Sequence, residues 1–213
     1  MVDVAIVDYG MGNLRSVYQA VRKVAPMANV VVTDDPAVVA AAGRVIFPGQ
    51  GAMPDCMREL DARGLRQAVL DAARNKPFLG ICIGLQMLFQ HSAEGDVPGL
   101  GILEGEVLRF AADLKDGRGQ KLKVPHMGWN QVTHTEHPLW DGIAQNARFY
   151  FVHSYFVQPK NDAIVQATSD YPLPFVCAVA RDNLFAVQFH PEKSAADGLK
   201  LLQNFTLWQP FKH

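Results

Sequence analysis

The stretch Lys76-Pro77-Phe78-Leu79-Gly80-Ile81-Cys82-Ile83-Gly84-Leu85-Gln86 decides how the rest of the chain is read. Its first half has the apolar run of a buried strand. Its centre, Gly80-Ile81-Cys82-Ile83-Gly84, has the Gly-x-Cys-x-Gly form of a nucleophile elbow, in which small residues two before and two after the nucleophile let a strand turn sharply into a helix. A thiol at that turn stands at the positive end of the helix, where the thiolate is favoured. The competing reading is a small apolar side chain at the end of a core strand, a common fate for a cysteine among hydrophobes. The paired glycines and the abrupt change of periodicity favour a reactive cysteine.

Upstream, strands and helices alternate. Residues 2–7 are a β-branched apolar run that stops at Asp8-Tyr9-Gly10-Met11-Gly12-Asn13, after which Leu14, Val17, Val21 and Val24 recur at helical spacing. Gly10-x-Gly12 lacks the third glycine of a dinucleotide fingerprint, so the loop reads as a tight turn. Residues 29–33 form a second strand, and Thr33-Asp34 with Pro36 cap a brief helix over 37–42. A third strand, 44–47, runs into Pro48-Gly49-Gln50-Gly51-Ala52, and a helical segment over 53–75 is interrupted near Gly64. The helix after Cys82 is expected to continue through Met87 and Phe89.

Beyond Gly95 the pattern changes to strand-like pieces over 105–110, 121–124, 129–133, 148–155, 164–168, 175–180 and 184–189, with Asp116-Gly117-Arg118-Gly119 as a hairpin turn and 195–207 as a closing helix. The expected fold is α/β: a mostly parallel, doubly wound open sheet with helices on both faces, extended by antiparallel strands in the C-terminal half. Ligands of such sheets sit at the carboxyl ends of the strands, where the loops after Asp8, Phe47 and Ile81 lie.

The 213 residues, 49% of them hydrophobic, suffice for one sizeable core, so residues 1–213 are read as a single domain. With 20 Lys and Arg against 21 Asp and Glu, and no basic run, nucleic acid is not an expected partner. Cys56, Cys82 and Cys177 form neither an even set nor a metal-ligating pair, which points to reduced thiols, a cytoplasmic setting and no metal or cofactor. The first residues carry acids where a signal peptide needs bases, and the longest uncharged apolar stretch, around Cys82, is too short to span a membrane, so neither a signal peptide nor a membrane partner is expected. His91, His134 and His137 have no spaced partner and read as surface or cap residues; Cys56 and Cys177 read as inert.

The strand 184–189 delivers His190-Pro191-Glu192 where it leaves the sheet. Thiol chemistry needs an imidazole to exchange a proton with the sulfur and a third group to fix its tautomer, and both can come from this one turn.

Pro48-Gly49-Gln50-Gly51, Gly80-Ile81-Cys82-Ile83-Gly84-Leu85-Gln86 and Phe189-His190-Pro191-Glu192 together resemble the class I, triad-type glutamine amidotransferases, over essentially the whole chain. The resemblance implies that Cys82 attacks the side-chain amide of L-glutamine, His190 gives a proton to the leaving ammonia and Glu192 orients His190. The oxyanion would be held by backbone N–H groups of Ile83 and of the Gly49-Gln50-Gly51 loop, with Gln86 as a substrate contact. Three further segments, Asp8-Tyr9-Gly10-Met11-Gly12-Asn13-Leu14, Pro125-His126-Met127-Gly128-Trp129-Asn130 and Phe151-Val152-His153-Ser154-Tyr155-Phe156, are similar to the glutaminase subunits of imidazole glycerol phosphate synthase, an enzyme of histidine biosynthesis. That resemblance implies a (β/α)8-barrel cyclase partner that receives the ammonia, Ser154 and Tyr155 as further substrate contacts, and Asn13, Met127, Gly128 and Trp129 toward the barrel. The Met-Gly-Trp-Asn segment argues against other amidotransferase branches. By itself, Trp129 would read as a core aromatic.

Overall fold

The computed structural model describes residues 2–211. Its elements run β1 (Val4–Val7), α1 (Leu14–Val24), β2 (Val30–Thr33), α2 (Pro36–Ala41), β3 (Arg44–Gly49), α3 (Met53–Ala62), α4 (Arg66–Asn75), β4 (Phe78–Cys82), α5 (Ile83–Gln86), β5 (Phe89–Ser92), β6 (Val97–Pro98), β7 (Leu103–Arg109), β8 (His126–His134), β9 (Ala147–His153), β10 (Tyr155–Pro159), β11 (Val165–Asp170), β12 (Pro174–Arg181), β13 (Leu184–Val187) and α6 (Ala195–Leu207).

The strands lie in the order β2-β1-β3-β4-β13-β12-β10-β7-β5-β6, with β11, β8 and β9 branching from β12. From β2 to β13 every neighbour is parallel. Antiparallel strands extend the sheet from β12 onward, apart from the parallel pair β5–β7. A parallel sheet is covered on both faces, which is why its strands read as unbroken apolar runs. Alternate residues serve two cores. Val4, Ile6, Ile46, Leu79 and Ile81 pack with Val17 and Val21 of α1 and with Leu201, Leu202 and Phe205 of α6. Val7, Val45, Phe47 and Phe78 pack with Val39 of α2, Met57 and Leu60 of α3 and Val69 of α4. This is the doubly wound α/β architecture expected.

Four local readings are corrected. The helix after Cys82 stops at Gln86, and Phe89 opens a strand: Leu100, Ile102 and Leu103 donate back to the carbonyls of Met87 and Leu88, replacing a continued helix with sheet pairing. Residues 121–124 form no strand; the hairpin turn at Asp116 is present, with Gly119 N–H donating to Asp116 O at 2.9 Å, but its arms share one isolated bridge, Lys115 to Lys121. The run 148–155 is two strands broken at Ser154: β9 pairs with β8, and β10 with β7 and β12. The cap of α2 is Asp35, whose Oδ1 accepts from Ala37 N at 2.8 Å, and Thr33 instead supports Asp35.

Candidate active site

Cys82 ends β4 at φ 57°, ψ −113°, a left-handed backbone that few residues with a side chain adopt. Strain of this kind persists only where packing holds it. Here the two glycines of the elbow make the packing possible. A Cβ on Gly84 would run into the Phe47 carbonyl of β3, and one on Gly80 would press on Ala186 of β13 and on the Gly84 backbone. The turn brings the thiol, 7% exposed, to the carboxyl end of the sheet. The helix that follows is a single turn, so its dipole contributes less to the thiolate than the sequence suggests. The Ile83 N–H stands at the start of that turn, where no intrahelical acceptor exists.

β13 lies beside β4, with Val187 level with Ile81, and the chain leaving it carries His190 and Glu192 to the thiol. His190 Nδ1 pairs with Glu192 Oε1 at 2.8 Å, their side chains 5% and 2% exposed. His190 Nε2 is buried and free of any protein hydrogen bond among the described residues. Burial disfavours charge on this ring, but the adjoining Cys82 sulfur and the Glu192 carboxylate outweigh it and raise its pKa to about 10. The three groups thus form a row, carboxylate to imidazole to sulfur, able to hold a thiolate against an imidazolium. Burial pushes the Cys56 thiol up to about 12 and raises that of Cys177 as well, which disfavours the reactive thiolate at both.

The row opens into a cavity of ≈ 280 Å³ walled by Gln50, Gly51, Ile83, Gln86, Ser154 and Tyr155, and also by Glu94, Val152, His153, Pro125 and Lys193. The loop over 49–51 approaches closely. A Cβ on Gly49 would collide with Tyr9 Oη and Ile83 Cγ2, so only glycine brings this backbone alongside the elbow. Beneath it, Cys56 Sγ donates to the Gln50 carbonyl at 3.7 Å, while the Gln50 side chain is exposed. Gln86 is 3% exposed; its Nε2 donates to Tyr155 O at 3.2 Å and to Gln188 Oε1 at 3.0 Å, leaving its buried Oε1 unpartnered.

Two polar residues at the site carry no local signal in the sequence. Glu94 projects from the β5–β6 turn, its Oε2 accepting from Met53 N–H at 2.8 Å to cap α3, and partial burial raises its pKa. Gln188 is wholly buried and its Nε2 lies 3.8 Å from Cys82 Sγ. It stands one residue past the end of β13 and two before His190.

The candidates Asn13, Met127, Gly128 and Trp129 lie outside the cavity. Met127 and Trp129 of β8 are 62% and 49% exposed, so Trp129 is not a core aromatic. Gly128 lies between them, opposite Phe151 of β9, at φ 136°. Asn13 caps α1, its Oδ1 accepting from Ser16 N at 3.4 Å. His126 and His153, from the paired ends of β8 and β9, join Nδ1 to Nε2 at 3.0 Å, and burial lowers them to about 4 and about 3. His137 caps a short turn through Leu139 N–H at 3.2 Å, and the exposed His91 pairs with Asp96 at 3.0 Å. His134 stacks on Trp140 at 4.7 Å. Among the described residues, no group of His, Cys, Asp and Glu could hold a metal ion and no helix is long and apolar enough to cross a membrane.

Comparison with known proteins agrees with this geometry. Residues 5–208 match the family model of glutamine amidotransferase class-I. The chain is 67% identical to imidazole glycerol phosphate synthase subunit HisH of Aromatoleum aromaticum, over 99% of this chain and 100% of that one. It is 65% identical to the subunit of the same name from Dechloromonas aromatica, over 97% of each chain. A solved glutamine amidotransferase superposes with a TM-score of 0.70 at 16% identity, covering 95% of this chain and 96% of that one, which bears on the fold alone. The chain therefore belongs to the class I glutamine amidotransferases and, within them, to the HisH subunits of imidazole glycerol phosphate synthase.

Proposed function

We propose that residues 1–213 act as one domain, the glutaminase subunit of imidazole glycerol phosphate synthase in histidine biosynthesis. The observation that carries this reading is the buried row Glu192, His190, Cys82, whose imidazole and sulfur line a cavity of ≈ 280 Å³ while the carboxylate stands behind them. The Cys82 thiolate attacks the side-chain amide carbon of L-glutamine, and the resulting oxyanion is met by Ile83 N–H and by a peptide of the Gly49-Gln50-Gly51 loop. His190, oriented and kept charged by Glu192, protonates the amide nitrogen as the C–N bond breaks. Ammonia leaves, and a glutamyl thioester remains on Cys82. Water, its proton taken by His190, then cleaves the thioester and restores the thiol with release of glutamate. The Glu94 carboxylate complements the substrate α-ammonium; Ser154, Tyr155 and the unpartnered Oε1 of Gln86 supply further contacts.

The exposed Met127 and Trp129, with the half-buried Gly128 and Asn13, are the surface for a (β/α)8-barrel cyclase. In our reading it takes the ammonia and forms imidazole glycerol phosphate and aminoimidazole carboxamide ribotide. Ammonia released to neutral water becomes ammonium, which has no lone pair for attack, so transfer within the complex is required for efficient use. A free glutaminase would waste glutamine, so the isolated subunit is expected to be nearly silent and the barrel with its nucleotide ligand to raise kcat by orders of magnitude. Three free thiols fit a reducing compartment, the cytoplasm.

The test supplies the assembled complex with glutamine carrying heavy nitrogen in its amide, in excess unlabelled ammonium at neutral pH. Near-complete retention of the label in the imidazole ring is the expected result. Dilution toward the bulk isotope ratio would refute direct transfer, and equal glutaminase turnover with and without the liganded barrel would refute the dependence on the partner.

A further inference from the structure

We propose that Gln188 is a positioning residue for the nucleophile: its side-chain amide holds the Cys82 sulfur in its charged form, and Gln86 locks that amide in place. The inference rests on the reading of Cys82 as the nucleophile.

The orientation of the two amides follows from one atom. The Tyr155 carbonyl can only accept, so the Gln86 atom 3.2 Å from it is the nitrogen. That nitrogen also lies 3.0 Å from the side chain of Gln188, which must therefore present its oxygen. The other end of Gln188, its NH2, is thereby turned to Cys82 Sγ at 3.8 Å. Neither amide can flip without setting two donors or two acceptors against each other.

A glutamine with no exposed surface, between Val187 and Phe189 of the core, is costly unless its polar atoms are paired. A thiol is a weak acceptor and a thiolate a strong one, since a hydrogen bond to an ionised group is about twice as strong as a neutral one. The N–H at Gln188 therefore gains its full strength only when Cys82 is charged. It supports the attacking state over the resting thiol, adding to the imidazolium on the other side. Gln86 ties this support to the cavity, because its remaining buried oxygen has no partner within the protein.

Iodoacetamide labelling of Cys82 in the full chain, read by peptide mass spectrometry across pH, tests the contact directly. The charged and titratable groups bearing on the sulfur are His190, Tyr9 and Cys56, with Glu192 acting through His190. All are retained in the variants used. Gln188→Met keeps the volume and removes the donor. Its half-maximal labelling should move about one pH unit upward, and kcat for glutamine in the barrel complex should fall about tenfold with KM unchanged. Gln188→Glu keeps the acceptor for Gln86 and sets a carboxylate against the sulfur, so its shift should be larger; it carries the test if the methionine variant fails to fold. Wild-type labelling profiles and kcat in either folded variant would overturn the proposal. Undiminished glutaminase activity in Cys82→Ala would instead sink the nucleophile assignment, leaving the labelling shift as a separate reading of the amide–sulfur contact.

Discussion

Replacing Glu192 by glutamine removes one charge from the row at almost constant shape. The carboxylate lies 2.8 Å from His190 Nδ1, and the two side chains are 2% and 5% exposed, so water screens the pair very little. A hydrogen bond to a charged group contributes about 1.5 to 3 kcal/mol net, and each 1.36 kcal/mol of lost transition-state stabilisation is about tenfold in rate. The expected fall in kcat is therefore about 10- to 150-fold. If the new amide turns its NH2 to Nδ1, the imidazole is held in the wrong tautomer and the loss approaches about 10⁴-fold. KM should stay near the wild-type value, because Glu192 is absent from the cavity wall. The assay is glutamate formation in the presence of the proposed barrel partner and its nucleotide ligand, since on that proposal the isolated subunit turns over too slowly to resolve the difference. A kcat within about threefold of wild type, or a loss expressed wholly in KM, would refute the reasoning that Glu192 acts through the charge it lends to His190.

Cys82→Ala should abolish glutamine hydrolysis while leaving the fold and partner binding intact, and a glutamine-like electrophile should label Cys82 in the wild type; activity loss on labelling of Cys56 or Cys177 would contradict this. Cys82→Gly should be as inactive but about 1 kcal/mol more stable than Cys82→Ala in urea unfolding, because glycine accepts φ 57° without strain; equal midpoints would show that the elbow is unstrained. The pH dependence of stability follows from the buried histidines. His126, His137 and His153 are lowered by burial to about 4, about 4 and about 3, while the unfolded chain titrates near ~6.5, so their contribution is fully present above that pH and is lost as pH falls through the folded values. His190, raised to about 10, works the other way: its contribution is present below ~6.5 and lost as pH rises through its folded value. The urea midpoint should fall as pH drops from about 6.5 to 4.5; a flat profile there would mean these rings are already charged in the folded protein.

Much of the architecture is local in origin and so legible along the chain. Continuous apolar strands, helical spacing from Leu14 to Val24, the break at Gly64 and the closing helix over Ala195–Leu207 all follow from neighbouring residues. The elbow is also local, because Gly80 and Gly84 declare a close backbone approach before the partner strand is known. His190 and Glu192, two apart after a strand, offer a candidate base and its orienter. What the chain order hides is whatever depends on a neighbour far along it. The helix after Cys82 ends at Gln86 because Leu100 and Leu103 offer strand pairing to the residues beyond, and no residue in 83–89 announces that. The break at Ser154 exists because β9 and β10 join different partners. Glu94 and Gln188 entered the site unannounced for the same reason: a carboxylate in a turn and an amide just past a strand end acquire meaning only when sheet order sets them against the Gly51 loop and the Cys82 sulfur. Sequence determined which residues could do chemistry; the parallel pairing of β4 with β3 on one side and β13 on the other decided which of them meet, because contacts between distant segments are set by packing of the whole sheet and not by any local preference.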